Sequence, residues 1–250
     1  MHSSPQSVRA ADYSQRATLR WPQAPQAVGV DIDLLRRHLP VQRRRLGAGE
    51  NLYCSGQNFH ALYIVHAGFF RLAQVSEDGR EQVLGFRMRG ELLGAESIGL
   101  PAHVCNAVTL DTAEVWELPF PAVSRACREV PELQASLTAA MAEEMRRDRA
   151  WMLAIGTLNA EQRVATFLLD LAARHAAMGF SARRYVLRMS RMDIASYLAL
   201  KHETVSRVLG HLVESGCILI QRRDVTIVDE EHLRAIGCMQ PASPALCRAA

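Results

Sequence analysis

A change of rhythm near residue 120 constrains this chain more than any other feature. Between residues 41 and 120, short apolar runs alternate with glycine-bearing turns. The turns are Gly47-Ala48-Gly49-Glu50, Ser55-Gly56-Gln57, Ala67-Gly68, Glu77-Asp78-Gly79-Arg80 and Arg89-Gly90-Glu91. The runs between them include 62–65, 69–72, 82–86 and 113–118. Strands at such regular spacing predict an antiparallel sandwich or barrel. Asp78-Gly79 predicts a hairpin, because Gly accepts the positive φ that tight hairpin turns demand. Beyond 120 the period becomes helical, and Pro131-Glu132 marks a helix start, since Pro suits the first helical turn.

Along 131–158, Leu137, Met141, Met145, Met152 and Ile155 recur at helical spacing, and Asp148 falls on the same stripe. A long helix with one apolar seam packs on its own domain or pairs with a copy of itself. Its length and its interrupting carboxylate favour a homodimer. A polar residue in a seam costs stability but fixes register or makes pairing conditional. Two facing carboxylates resist pairing unless neutralised or solvated, so Asp148 is the expected switch point.

Upstream, residues 1–28 are rich in Ser, Gln, Ala and Pro and read as a mobile arm. Residues 31–39 read as a short amphipathic helix. The remaining divisions are 29–130 for the β unit, 131–158 for the dimerisation helix and 159–250 for a C-terminal unit. Hydrophobic residues at 49% and no apolar run near the roughly 20 residues that span a bilayer predict a soluble chain with no membrane partner. The polar N-terminus lacks a signal-peptide core, so a cytoplasmic protein is expected. A net charge of +3 is too small to establish a nucleic-acid partner, so any such argument depends on where the charges sit.

The C-terminal unit supplies that argument. Residues 159–178 form a helix with Val164, Phe167, Leu168 and Leu171 inward. Ser190-Arg191-Met192-Asp193 reads as a capping box opening a short helix. Ala199-Leu200-Lys201 breaks it, and a second helix runs from about His202 to Ser215 with Val205, Val208, Leu209 and Leu212 on one face. Glu203, Ser206, Arg207 and Gly210 share the opposite face. Two short helices joined by a tight turn form a helix-turn-helix. On such a face Arg207 can donate two bonds to guanine O6 and N7, Glu203 can accept from cytosine N4, and Ser206 suits several bases. Lys201, His202 and Ser190 stand near helix starts, where phosphates bind. Residues 217–220 and 225–228 flank Gln221-Arg222-Arg223-Asp224, which predicts a hairpin wing with Arg222 and Arg223 at its tip for phosphate contact. A solvated amphipathic helix would show the same charges; helix, turn and wing together are more specific than any one part.

With these residues, the chain resembles the Crp–Fnr superfamily of bacterial regulators over roughly 30–237. The resemblance is carried by the strand-and-turn pattern, Gly90-Glu91-Leu92-Leu93-Gly94, Glu117-Leu118-Pro119-Phe120, the long helix, Asn159-Ala160-Glu161-Gln162-Arg163, and above all Glu203-Thr204-Val205-Ser206-Arg207. It implies an α+β fold: an N-terminal antiparallel β-roll of the cyclic-nucleotide-binding type, a long dimerisation helix, and a C-terminal winged helix-turn-helix. Ser before Arg in the recognition helix is similar to the Fnr branch. The resemblance then implies a transcription regulator, not an enzyme, that binds double-stranded DNA as a homodimer. It implies TTGAT-like half-sites in an inverted repeat, one helical turn apart, and RNA polymerase as a further partner.

The departures bear on the signal. Cluster-binding Fnr members carry three N-terminal cysteines and a fourth in the β-roll, whereas residues 1–53 here contain no cysteine and Trp116 stands where the fourth would fall. A cubane cluster needs four thiolates or near equivalents, so none is expected. Members that bind cyclic nucleotide carry an Arg-Ser pair after the Gly-Glu segment, and residues 101–107 have no arginine to hold a phosphate. Ala199 replaces a usual turn Gly and Lys201 a usual Thr cap. Three readings stay open for the β-roll. It binds haem through His60, His66 or His103; it responds to oxidation through Cys54, Cys105 or Cys127; or it has no ligand and no cofactor, which is preferred. A cupin-like metal enzyme using the same three histidines is the alternative from another class, and it lacks the compact His-x-His spacing such sites want. A ligand-binding module acting on a partner protein without touching DNA is a second.

Overall fold

A computed structural model describes residue 30 and residues 32–237. The arm expected over 1–28 lies outside the described residues, as do Cys238 and Cys247. The expected first helix is α1, Ile32–His38.

Eight strands follow as two four-stranded antiparallel sheets. One sheet orders β1 (Gln42–Leu46), β8 (Ala113–Pro119), β3 (Ala61–Ala67) and β6 (Leu92–Leu93). The other orders β2 (Asn51–Tyr53), β7 (Asn106–Thr109), β4 (Phe70–Val75) and β5 (Glu81–Arg87). The inward side chains include Tyr53, Tyr63, Val65, Phe70, Leu93 and Val115, all buried. Asp78-Gly79 lies in the β4–β5 turn, where Gly79 has φ +80° and Ser76 N–H donates to Arg80 C=O. At Gly68, φ is +86° and an added Cβ would meet the Ala113 Cβ at 2.6 Å, so glycine is required to pass the β3–β4 turn under that residue.

Helix α2 (Phe120–Glu129) leads into the 27-residue α3 (Pro131–Thr157), whose Leu133 and Leu137 pack with Leu35, Leu62, Ile64 and Leu118. Leu137 is therefore committed to its own chain, which corrects its place in the expected dimer seam. Met141 is half-buried against the same cluster, and Ile155 is also half-buried. Met145, Asp148 and Met152 are exposed, together with Leu153, which was not among the residues of the expected seam.

Helix α4 (Ala160–Ala177) starts at a capping box between Asn159 and Gln162. It packs with α5 (Arg191–Tyr197), α6 (His202–Glu214), α7 (Glu230–Ile236) and a three-stranded sheet ordered β10 (Ile218–Gln221), β11 (Asp224–Ile227), β9 (Arg184–Val186). The core of this unit crosses the boundaries expected at 130 and 158. Phe86 of β5, Trp151 of α3, Phe167 of α4 and Tyr197 of α5 form one aromatic cluster with centroid separations of 5.0–6.2 Å. Apolar area from three parts of the chain is thus buried in one place, which fixes how the parts sit.

Candidate nucleic-acid interface

Helix α5 begins as its sequence requires. Ser190 Oγ accepts from Asp193 N–H at 3.1 Å, and Asp193 Oδ2 accepts from Ser190 N–H at 2.8 Å. Both orphan amides are satisfied, so the Ser190 hydroxyl is committed to its helix. Helix α5 ends in a turn through Ala199, whose φ is +52°. Ala199 N–H donates to Ser196 C=O and Leu200 N–H to Ala195 C=O, which closes the helix end where Gly would be unstrained. Lys201 precedes α6 with no side-chain cap.

Helix α6 buries Val205, Leu209 and Leu212 and half-buries Val208. His202, Glu203, Ser206, Arg207 and Gly210 are exposed along the other side. Glu203 pairs with His202 at 3.3 Å. Among the described residues none makes an ion pair or hydrogen bond with the Arg207 guanidinium, so it is free to enter a groove. Gln221 pairs with Asp224 across the wing turn, and Arg222, with φ +57°, and Arg223 stand exposed at its tip. Leu187 N–H donates to Arg223 C=O, and β9 adds a third strand that was not read from its short Arg-Tyr-Val sequence. Exposed cations thus sit at the wing and on α6, with the apolar faces of both elements turned inward.

Residues not singled out for the site position it. Arg163 of α4 donates to Leu158 C=O at 2.9 Å, to Ile155 C=O at 2.6 Å and to Leu198 C=O at 3.1 Å. One guanidinium therefore ties the end of α3 to the turn of the helix-turn-helix. Glu91, in the loop before β6, accepts from Arg147 of α3 at 3.0 Å and from Arg174 of α4 at 2.6 Å. Burial pushes its carboxyl up, but the fields of Arg174, Arg147 and Arg87 win and hold it at about 2. Arg87 in turn pairs with Glu144.

The candidate sensor residues are scattered. His60 lies near Glu117 at 3.3 Å, His66 stacks on Trp116 and His103 stacks on Tyr53 at 3.8 Å. Among the described residues no three His, Cys, Asp or Glu side chains are grouped to hold a metal ion. Cys105 is buried and its thiol is pushed up by burial and by Glu96, which accepts its hydrogen bond. Burial raises Cys127 as well, whereas Cys54 is exposed. Cys105 and Cys127 thus lack the lowered pKa that a reactive thiol needs.

Residues 162–236 match the Crp-like helix-turn-helix domain, and residues 43–129 match the cyclic nucleotide-binding domain. The transcriptional activator protein Anr of Pseudomonas protegens is 36% identical over 207 residues, 83% of this chain and 84% of that protein. The fumarate and nitrate reduction regulatory protein of Salmonella typhimurium is 33% identical over 205 residues, 82% of this chain and 80% of that protein. The solved structure of FixK2 from Bradyrhizobium japonicum is similar with a TM-score of 0.73 at 29% identity, covering 82% of this chain and 100% of that one.

Proposed function

This chain belongs to the Crp–Fnr superfamily of DNA-binding transcription regulators, and we propose that it reads an Fnr-like inverted repeat of TTGAT-like half-sites as a homodimer. The observation that carries this reading is the exposed row Glu203, Ser206 and Arg207 on one face of α6, backed by the buried Val205, Leu209 and Leu212. Arg207 donates to guanine, Glu203 accepts from cytosine, and Ser206 packs beside them. Lys201, His202, Arg222 and Arg223 meet phosphates and set register, as does the N-terminus of α5 at Ser190.

The exposed stripe Met145, Asp148, Met152 and Leu153 on α3 supports the second copy, since a helix with such a face gains by pairing. Two related readers then meet two half-sites of a palindrome. Anr is a transcriptional activator by name, which supports RNA polymerase as a further partner and activation as the outcome. The place of action is the cytoplasm, and among the described residues no helix is long and apolar enough to cross a membrane. The signal lies outside cluster and cyclic-nucleotide chemistry. Residues 1–53 contain no cysteine, residues 101–107 contain no arginine, and Glu91 is already held by two arginines.

The test is fluorescence anisotropy on a duplex carrying the inverted repeat, against a scrambled duplex, over a range of salt. Specific binding is expected to weaken steeply with salt as counterions are released. Arg207→Ala is expected to lose about 1–3 kcal/mol of discrimination per half-site, with non-specific binding retained. Arg222→Ala with Arg223→Ala is expected to weaken both duplexes alike and to reduce the salt slope by about one per phosphate contact. An Arg207→Ala protein that still prefers the inverted repeat over the scrambled duplex as strongly as the wild type would count against the α6 assignment.

A further inference from the structure

Between the β-roll and the C-terminal unit lies a half-open cleft of about 650 Å³ that no role above uses. Its floor is an aromatic ladder crossing from one unit to the other. Phe69, in the β3–β4 turn, stacks on His175 of α4 at 6.0 Å, and His175 stacks on Tyr185 of β9 at 5.0 Å. The ladder is held from both ends: Phe69 N–H donates to Asp111, and Tyr185 O–H donates to Leu168 C=O at 2.7 Å. Burial depresses the basicity of His175, so the floor is apolar and uncharged near neutral pH. One wall carries Phe180, which is 54% exposed although it adjoins this concave surface.

The rim has one sign of charge. Arg89, Arg184 and Arg188 all reach the cleft, and its lining contains no Asp or Glu. Arg188 is paired with Asp111 at 3.3 Å. Among the described residues the guanidinium groups of Arg89 and Arg184 have no carboxylate partner, and both residues are exposed. Cations that merely serve solubility do not need an apolar stacking floor beside them. A concave site at a domain boundary, of small-molecule size and with a few convergent polar groups on an apolar lining, has the general form of a ligand pocket.

We propose that this cleft binds a small aromatic monoanion, with its ring on the Phe69–His175–Tyr185 ladder and its carboxylate or sulfonate between Arg89 and Arg184. Such a ligand touches the β-roll and the C-terminal unit at once, so occupancy biases how the two sit. The site is distinct from the interior of the β-roll, where Tyr53, Tyr63 and Phe70 are buried.

The experiment uses the full chain without DNA, so its failure is separate from any failure of the DNA-reading assignment. Anilinonaphthalene sulfonate is titrated by fluorescence, with benzoate as competitor. Saturable binding of one probe per chain is expected, displaced by benzoate. Arg89→Gln with Arg184→Gln is expected to weaken the probe by at least about tenfold, the scale of lost charge-assisted hydrogen bonds. Arg125→Gln with Arg128→Gln, which makes the same charge change on α2, is expected to leave binding unchanged. Phenyl-naphthylamine, which lacks the sulfonate, is expected to bind at least about tenfold more weakly than the sulfonate. Non-saturable binding, equal binding of the uncharged probe, or indifference to the paired arginine substitutions overturns the proposal.

Discussion

Ser196 Oγ accepts a 2.8 Å hydrogen bond from the backbone N–H of Val83, so the first helix of the DNA-reading motif is fastened to the β4–β5 hairpin by one hydroxyl. The residue beside it, Tyr197, packs edge-on against Phe86 of the same strand at 5.2 Å. The β-roll therefore holds α5, on which the recognition helix α6 packs, directly as well as through α3.

Ser196→Ala leaves the backbone amide of the buried Val83 without its partner. The expected cost is about 1–3 kcal/mol, the penalty for an unsatisfied buried donor. Urea denaturation reads the cost, and amide hydrogen exchange is expected to accelerate at Val83 before it does in β3. An exchange rate at Val83 equal to that of the wild type would mean that the hydroxyl is not what protects it.

The Glu91 clasp gives a pH dependence of definite sign. Its folded pKa of about 2 lies below the ordinary value of 4.5, so the carboxylate binds its proton more weakly folded than unfolded. Stability from this group is fully present above pH 4.5 and is lost as pH falls towards 2. Glu91→Gln removes this carboxylate and is expected to flatten that part of the profile, while lowering stability at pH 7, where Arg147 and Arg174 lose their shared anion. Denaturant midpoints measured across the acid range check it, and a Glu91→Gln profile as steep as the wild type would assign the acid sensitivity elsewhere.

The strands that alternate apolar residues with turn glycines were legible, and so was the recognition helix, because a period is a local property. Strand β1 was harder, since Arg43, Arg44 and Arg45 carry no apolar signal and are strand only by pairing with β8. Strand β9 is three residues long and exists through its pairing with β11. Leu137 shows the limit of periodicity most directly. It sits on the same stripe as Met145 and Met152, and the stripe cannot reveal that Leu35 and Leu118 of its own chain cover only its upper end. The clasps at Arg163, Glu91 and Ser196 join residues far apart in sequence, and a lone Arg, Glu or Ser has no pattern from which such a partner could be read.

Ala199 sits at φ +52°, where an L side chain crowds the following carbonyl, at a position where glycine is relaxed. Ala199→Gly removes that strain, roughly 1–2 kcal/mol, against the larger entropy glycine loses on folding, roughly 0.5–1 kcal/mol. The balance predicts a net gain of about 0.5–1 kcal/mol and a higher melting temperature. A lower melting temperature would show that the Ala199 methyl makes a contact worth more than the strain.

Asp148 is exposed between Met145 and Met152 on α3, on the face proposed to pair two copies. In a symmetric pairing each Asp148 approaches its counterpart, so two carboxylates lose water and repel in the same step. Asp148→Ala keeps the helix, since Ala has the highest helix propensity, and converts the stripe to an unbroken apolar run. The dimer fraction in analytical ultracentrifugation is expected to rise, and the affinity for the two-half-site duplex with it, while the affinity for a single half-site stays as it was. Met152→Glu places a charge on the same face and is expected to act in the opposite direction. If Asp148→Ala leaves the sedimentation distribution unchanged and Met152→Glu does too, the pairing face is not this one.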